Sequence, residues 1–230
     1  MFNRSKKRTQ QEILADVKYF EDITTLQIIM AIHRQSGACF AKTHYNQGEN
    51  VEENYVSGFL TAFSSFENII GDQLGMHTNA DTTKAIQYGD FTITIVDGNH
   101  LRISLISKDM IGQIMKQRVR SLTESYEDAH FLYLENFSGN QDLFVDFPKA
   151  VEKELDVKLN YLSEINEKSL ENYPGPKDVR KVFRSMKKMG DQFYPGDLPA
   201  ILMREEGLSE TQAKWHVFEA YHWYVFEPAG

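Results

Sequence analysis

The spacing of apolar side chains changes several times along this chain, and each change marks an element. Ile13, Leu14, Val17 and Phe20 recur at helical spacing and predict a leading helix over residues 10–20. Residues 26–33 form a dense apolar run closed by Arg34-Gln35-Ser36-Gly37. A turn there and a second strand over residues 38–45 predict a β-hairpin. Tyr55, Val56, Phe59, Leu60, Phe63, Phe66, Ile69 and Ile70 return to three-to-four spacing and predict a helix over residues 52–74. Gly58, Ala62 and Ser65 lie on that helix as a second stripe of small residues, suited to close approach by a sheet, another helix or a partner.

A second β region follows. Residues 84–88 read as a short strand and residues 91–96 as a longer one. Asp97-Gly98-Asn99 is a strong turn signal, and Leu101, Ile103 and Leu105 then alternate with Arg102 and Ser104. Helical spacing resumes with Ile111, Ile114, Met115, Val119 and Leu122 and extends to about residue 134. A further helix is predicted over residues 143–155. The order β-β-α-β-β-β-α-α predicts an α+β domain over residues 24–157, with a five-stranded antiparallel sheet packed with helices. Residues 1–23 are expected to form a basic tail and the leading helix. Residues 158–176, ending in Tyr173-Pro174-Gly175-Pro176, read as a linker. Residues 177–230 read as a small helical module: a basic amphipathic helix over 179–189, a short helix over 198–205, and a third from 210 to about 221 behind a Ser209 N-cap. A terminal strand is expected over residues 223–226.

Composition adjusts this picture in three places. Cys39 is the only cysteine among 230 residues, so internal disulfides and cysteine zinc clusters are excluded, and a small buried hydrophobe in a reducing compartment is expected. The net charge of −8 argues against general nucleic-acid binding. The exception is the N-terminal cluster Arg4, Lys6, Lys7 and Arg8, which reads as a solvated end or as a weak, peripheral contact with an anionic membrane. No apolar run is long enough to span a bilayer and no signal-peptide core follows the basic start, so a cytoplasmic location is expected.

The usual catalytic signatures are missing. There is no Gly-x4-Gly-Lys-Ser/Thr loop, no Gly-x-Gly-x-x-Gly after a strand and no Gly-x-Ser-x-Gly elbow. The seven histidines show no metal-ligand spacing, and acidic pairs such as Glu127-Asp128 and Glu205-Glu206 read as solvated helix faces. An enzyme, a cofactor and a metal are therefore not expected.

The segments LQIIMAIHRQSGACFAKTHYN, VSGFLTAFSSFENIIGDQLG, IQYGDFTITIVDGNHLRISLISKD and SLTESYEDAHFLYLENFSGNQDLFVDF together resemble the roadblock/longin superfamily over about residues 24–155. The longin-like branch, which opens on the hairpin, is the nearer match, although the helix over 10–20 is similar to a roadblock start. The resemblance implies an adaptor that dimerises, or pairs with a second longin/roadblock-type subunit, and docks on a small Ras-like GTPase in membrane traffic or motility. Candidate partner-binding residues are Gly58, Ala62 and Ser65 with the strand margin at Lys84 and Tyr88. Arg34 and Arg102 are expected to be exposed arginines that could serve a partner GTPase. The module LPAILMREEGLSETQAKWHVFEAYHWYVFEP is similar to a winged helix-turn-helix. The alternative function is thus a sensory or transcriptional regulator, with a ligand-binding α+β domain coupled to a DNA-binding module. The aromatic and acidic content of residues 210–223 favours protein packing over base reading.

Overall fold

A computed structural model describes residues 8–45 and 83–229. The chain divides into two compact units. One is Thr25–Leu155; the other joins Met1–Thr24 to Asp156–Gly230. The first helix, α1 (Gln10–Thr24), belongs to the second unit.

The first unit is built on strands β1 (Leu26–His33), β2 (Cys39–His44), β3 (Thr83–Tyr88), β4 (Phe91–Asp97) and β5 (Leu101–Ser107). They form one antiparallel sheet in the order β2-β1-β5-β4-β3. The α+β fold class and the five-stranded antiparallel sheet are those expected; the expected helix over 52–74 lies outside the described residues. β1 and β5 are central and are buried along nearly their whole length. That explains the largely apolar sequence of β1, since both faces of an interior strand are covered, whereas β5 buries Arg102, Ser104 and Ser107 among its apolar residues. On one face Ile28, Met30, Ile32, Ile93, Ile95 and Ile106 form a core cluster, with Cys39, Ile86 and Phe91 packed at its margin. Cys39 is half-buried there, rather than enclosed, because it stands on an edge strand.

Helix α2 (Gln113–Glu135) lies along β4 and β5 and buries Met115, Val119, Leu122 and Tyr126 at helical spacing. It kinks at His130 (φ −116°, ψ 16°). The ring explains the kink: Nδ1 bonds the Tyr126 carbonyl at 3.1 Å, and Nε2 lies 3.2 Å from an Asp146 carboxylate oxygen that also accepts from the Tyr126 hydroxyl at 2.8 Å. The single helix expected over 143–155 is instead a 3-10 turn, Gln141–Phe144, followed by α3 (Phe147–Glu154). Pro148 imposes the break, because proline is accommodated only in a helix's first turn.

In the second unit, α1 buries Val17, Tyr19, Phe20 and Ile23. Residues 158–176, expected as a linker, contain β6 (Ser163–Ile165) and α4 (Glu167–Asn172), the latter capped by the Asn166 side chain. Gly175 is required in the turn that follows, since a Cβ there would stand 2.2 Å from the Tyr173 ring. Next come α5 (Lys177–Met189), closed by left-handed Gly190, and α6 (Leu198–Glu206), closed by left-handed Gly207. α7 (Glu210–His222) begins at Ser209 with a complete capping box to Gln212, as its sequence indicates. The terminal strand β7 is Phe226–Pro228, not residues 223–226: Trp223 closes α7 and Tyr224 adopts φ 56°. β7 pairs with β6. Residues 1–23 and 177–230 are thus parts of one unit, whose C-terminal portion starts two residues before the expected linker. The reason is aromatic packing, with Tyr19 and Phe20 set edge-on to Phe218 at 6.0 and 6.2 Å.

Candidate partner-binding site

The sheet has two margins, and they differ. On β2, the Gln141 side chain donates to the Cys39 carbonyl at 3.0 Å, and both the 3-10 turn and α3 pack along the strand. No described residue adds a strand outside β3, whose only recorded strand partner is β4. Ala85 and Gln87 are exposed there; Lys84 and Ile86 are half-buried on the face that holds Phe91, Ile93 and Ile95. Tyr88 ends the strand, opposite Phe91. Lys84 and Tyr88 therefore do lie on an edge strand of the sheet that the described residues form. Gly58, Ala62 and Ser65 lie outside the described residues.

The structure brings Arg34 and Arg102 together, but not as free arginines. Arg102 is 5% exposed and grips Asp97 with two nitrogens, at 2.6 and 3.1 Å. Arg34 approaches the same carboxylate at 3.8 Å and donates to the Gly98 and Asn99 carbonyls. Glu127 completes the knot from α2 by accepting from the main-chain N–H groups of Asn99 and His100. Gly98 is needed because a Cβ would stand 2.0 Å from a Glu127 oxygen. The expectation of an exposed Arg102 is thus corrected: the bidentate pair with Asp97 draws it inward. Glu127, expected on a solvated face, is buried at 6% for a similar reason. The turn signal at 97–99 was visible in the sequence; Glu127, 28 residues away from Asn99, carried none.

Beside this knot, His33 is buried, with Nδ1 at 2.8 Å from the Ser36 hydroxyl and its ring 4.8 Å from Phe137. Burial lowers its pKa; the Leu134 main chain raises it in part and the nearby His100 lowers it further. Burial, then Asp146, pushes the Tyr126 hydroxyl far above its ordinary value, so it stays protonated and donates to Asp146. Tyr173 in the second unit behaves alike, through burial and Glu219.

Helices α6 and α7 pack against each other across the Gly207-Leu208-Ser209 turn. Lys214, a cation that DNA reading would need, is held at 2.7 Å by Glu21 of α1 and also by Glu210. Burial opposes its charge, but these two carboxylates win and its pKa is raised. Trp215 is covered by the Arg8 guanidinium, 4.9 Å from the ring. A cleft of about 400 Å³ in the same unit is lined by acids (Asp156, Glu227), bases (Lys158, His222) and the aromatics Tyr221 and Tyr224. Among the described residues, no cluster of His, Cys, Asp and Glu could hold a metal, and no helix is long and apolar enough to cross a membrane.

No family model and no curated protein matches this chain. Solved structures do match. Myxococcus xanthus MglB aligns at 10% identity and a TM-score of 0.38, over 53% of this chain and 99% of its own. The gliding protein MglB from Thermus thermophilus aligns at 12% identity and 0.37, over 53% and 97%. A structure of MglB with a tetrameric arrangement aligns at 10% and 0.34, over 63% and 91%.

Proposed function

We propose that this protein is a non-enzymatic adaptor, in which the sheet of the first unit pairs through β3 with a second copy or a related roadblock/longin-type subunit, and the pair docks a small Ras-like GTPase. The observation that carries this reading is the asymmetry of the sheet margins. β2 is capped by Gln141 and flanked by α3, whereas no strand among the described residues pairs outside β3, where Ala85 and Gln87 are exposed. An uncovered edge invites strand addition, so a stable protein either blunts it or uses it. Lys84 is the one charged side chain on β3, and it is half-buried.

The knot at Arg34, Asp97, Arg102 and Glu127 supports an adaptor rather than an enzyme. Arg102 is buried and holds a turn, so it is not poised to enter a partner's nucleotide site. Arg34 is exposed, as expected, and donates to the same turn. In this reading any effect on a GTPase comes from ordering the GTPase's own residues. The DNA-binding alternative gains nothing from α7, where Lys214 is engaged by carboxylates.

The test is sedimentation equilibrium of the full chain beside the double variant A85K/Q87K, which sets like charges across a self-paired edge. The wild type is expected to dimerise and the variant to associate at least about tenfold more weakly, since facing like charges are destabilising across strands. At protein concentrations low enough that both are monomeric, their melting temperatures should agree, because both positions face solvent in the single chain. A monomeric wild type that binds neither a longin/roadblock-type subunit nor any Ras-like GTPase from its own genome would overturn the reading.

A further inference from the structure

Two exposed helix faces of this chain carry opposite charge at the same spacing. On α2, Glu124, Asp128, Phe131 and Glu135 are separated by four, three and four residues, which confines them to an arc of about 60° and a length of about 16 Å on a helix. The kink at His130 falls inside this span, but its φ and ψ sum close to the helical total, so the side-chain phase carries through it. On α5, Lys177, Lys181, Arg184 and Lys188 repeat the same four, three and four. All of these side chains are exposed, and none of the charged ones makes an ion pair with a described residue. Elsewhere in the molecule acids and bases within reach are paired: Lys18 with Asp22, Arg102 with Asp97 and Lys214 with Glu21. The sequence around the α2 face does not dilute its charge, since between Arg120 and Lys149 the chain holds six acids and no Lys or Arg. That face ends in three consecutive large hydrophobic side chains, Phe131, Leu132 and Tyr133, exposed by 44%, 69% and 50%. Such a run on a surface marks a place of contact.

We infer that α5 of one chain packs alongside α2 of a second copy. Alternating steps of four and three residues are the seam of two helices lying side by side at a shallow angle. The spacing reads the same in both directions, so whichever way the helices run, three carboxylates meet three of the cations and Phe131 meets the fourth. A cation over an aromatic face is itself favourable, and the aliphatic stems of the lysines can lie on Phe131 and the neighbouring Leu132. A lipid surface or a nucleic acid would answer α5 alone and leave the α2 face uncovered. A second copy answers both. The inference is independent of the sheet-edge reading, because it uses neither β3 nor any other strand.

The experiment is sedimentation equilibrium of full chains that all carry A85K/Q87K, which holds the β3 edge constant. This parent is expected to associate, and to do so more weakly as salt is raised. Reversing one face with E124K/D128K/E135K, or the other with K177E/K181E/R184E/K188E, should weaken association at least about tenfold. Three exposed pairs, each worth up to about fivefold, are then replaced by repulsion. An equimolar mixture of the two reversed chains should associate again, because each supplies the face that the other has lost. If a reversed chain melts early, D128N and K181Q, each expected to lose up to about fivefold, carry the comparison. Association untouched by every one of these substitutions, or folded reversed chains that stay monomeric when mixed, would overturn the inference. So would a parent that is monomeric at all salt concentrations, whether its α5 pairs within one chain or binds phosphatidylserine vesicles or duplex DNA instead.

Discussion

At the scale of single residues, much of this molecule is decided by polar side chains that the chain folds inward. Arg102, Asp97, Glu127 and His33 are all nearly buried or engaged at one end of the sheet, and each has a partner that explains it. His33 gives a pH dependence with a definite sign. Its folded pKa is depressed by burial, so the unfolded chain binds the proton more readily. Its contribution to stability is therefore complete above about pH 6.5, the ordinary histidine value, and is lost as pH falls through the depressed folded value. The urea midpoint should fall on acidification across this window, and His33→Gln should flatten that part of the curve while lowering stability at neutral pH. A midpoint slope unchanged by the substitution would assign the acid sensitivity to other groups.

At the scale of elements, caps and breakers set where helices begin and end. Pro148 splits the region that periodicity alone joins into one helix, while Gly190 and Gly207 stop α5 and α6 in left-handed conformations. Ser209 and Gln212 satisfy each other's main-chain donors at the start of α7. Because this box lies on the surface, Ser209→Ala should cost about 1 kcal/mol, read as a lower denaturant midpoint with an unchanged slope. Restoring an oxygen with Ser209→Asp should recover most of the loss, which separates capping from packing. Tyr224 is the opposite case, a non-glycine residue at φ 56° just after the helix end, where glycine is the usual choice.

At the scale of the whole molecule, chain order and spatial order part company. α1 precedes the sheet in sequence, yet it packs with residues 156–229 through Tyr19, Phe20, Ile23 and the Glu21–Lys214 pair. Phe20 is 1% exposed, so Phe20→Ala should cost about 3–5 kcal/mol. The loss should fall on the unit to which α1 belongs. Limited proteolysis of the variant should open sites within residues 156–229 and leave the wild-type pattern within residues 25–155 unchanged. Equal loss of protection in both segments would show that α1 serves the sheet instead.

Local sequence was enough for the five strands of the large sheet, the turns at 34–37 and 97–99, the Ser209 cap and the α+β class, because these depend on residues within a few positions of one another. It could not decide that α1 joins the C-terminal segments, that residues 158–176 hold a strand and a helix, or that Arg102 and Glu127 turn inward. Most of these depend on a partner distant along the chain: Phe218 for Phe20, Phe226 for Ile165, Asn99 for Glu127. The unequal sheet margins belong with them, since Gln141 reaches β2 across 102 residues while no described residue adds a strand outside β3. Side-chain spacing records which face of an element is apolar; only the packed chain determines what that face, or an open edge, will meet.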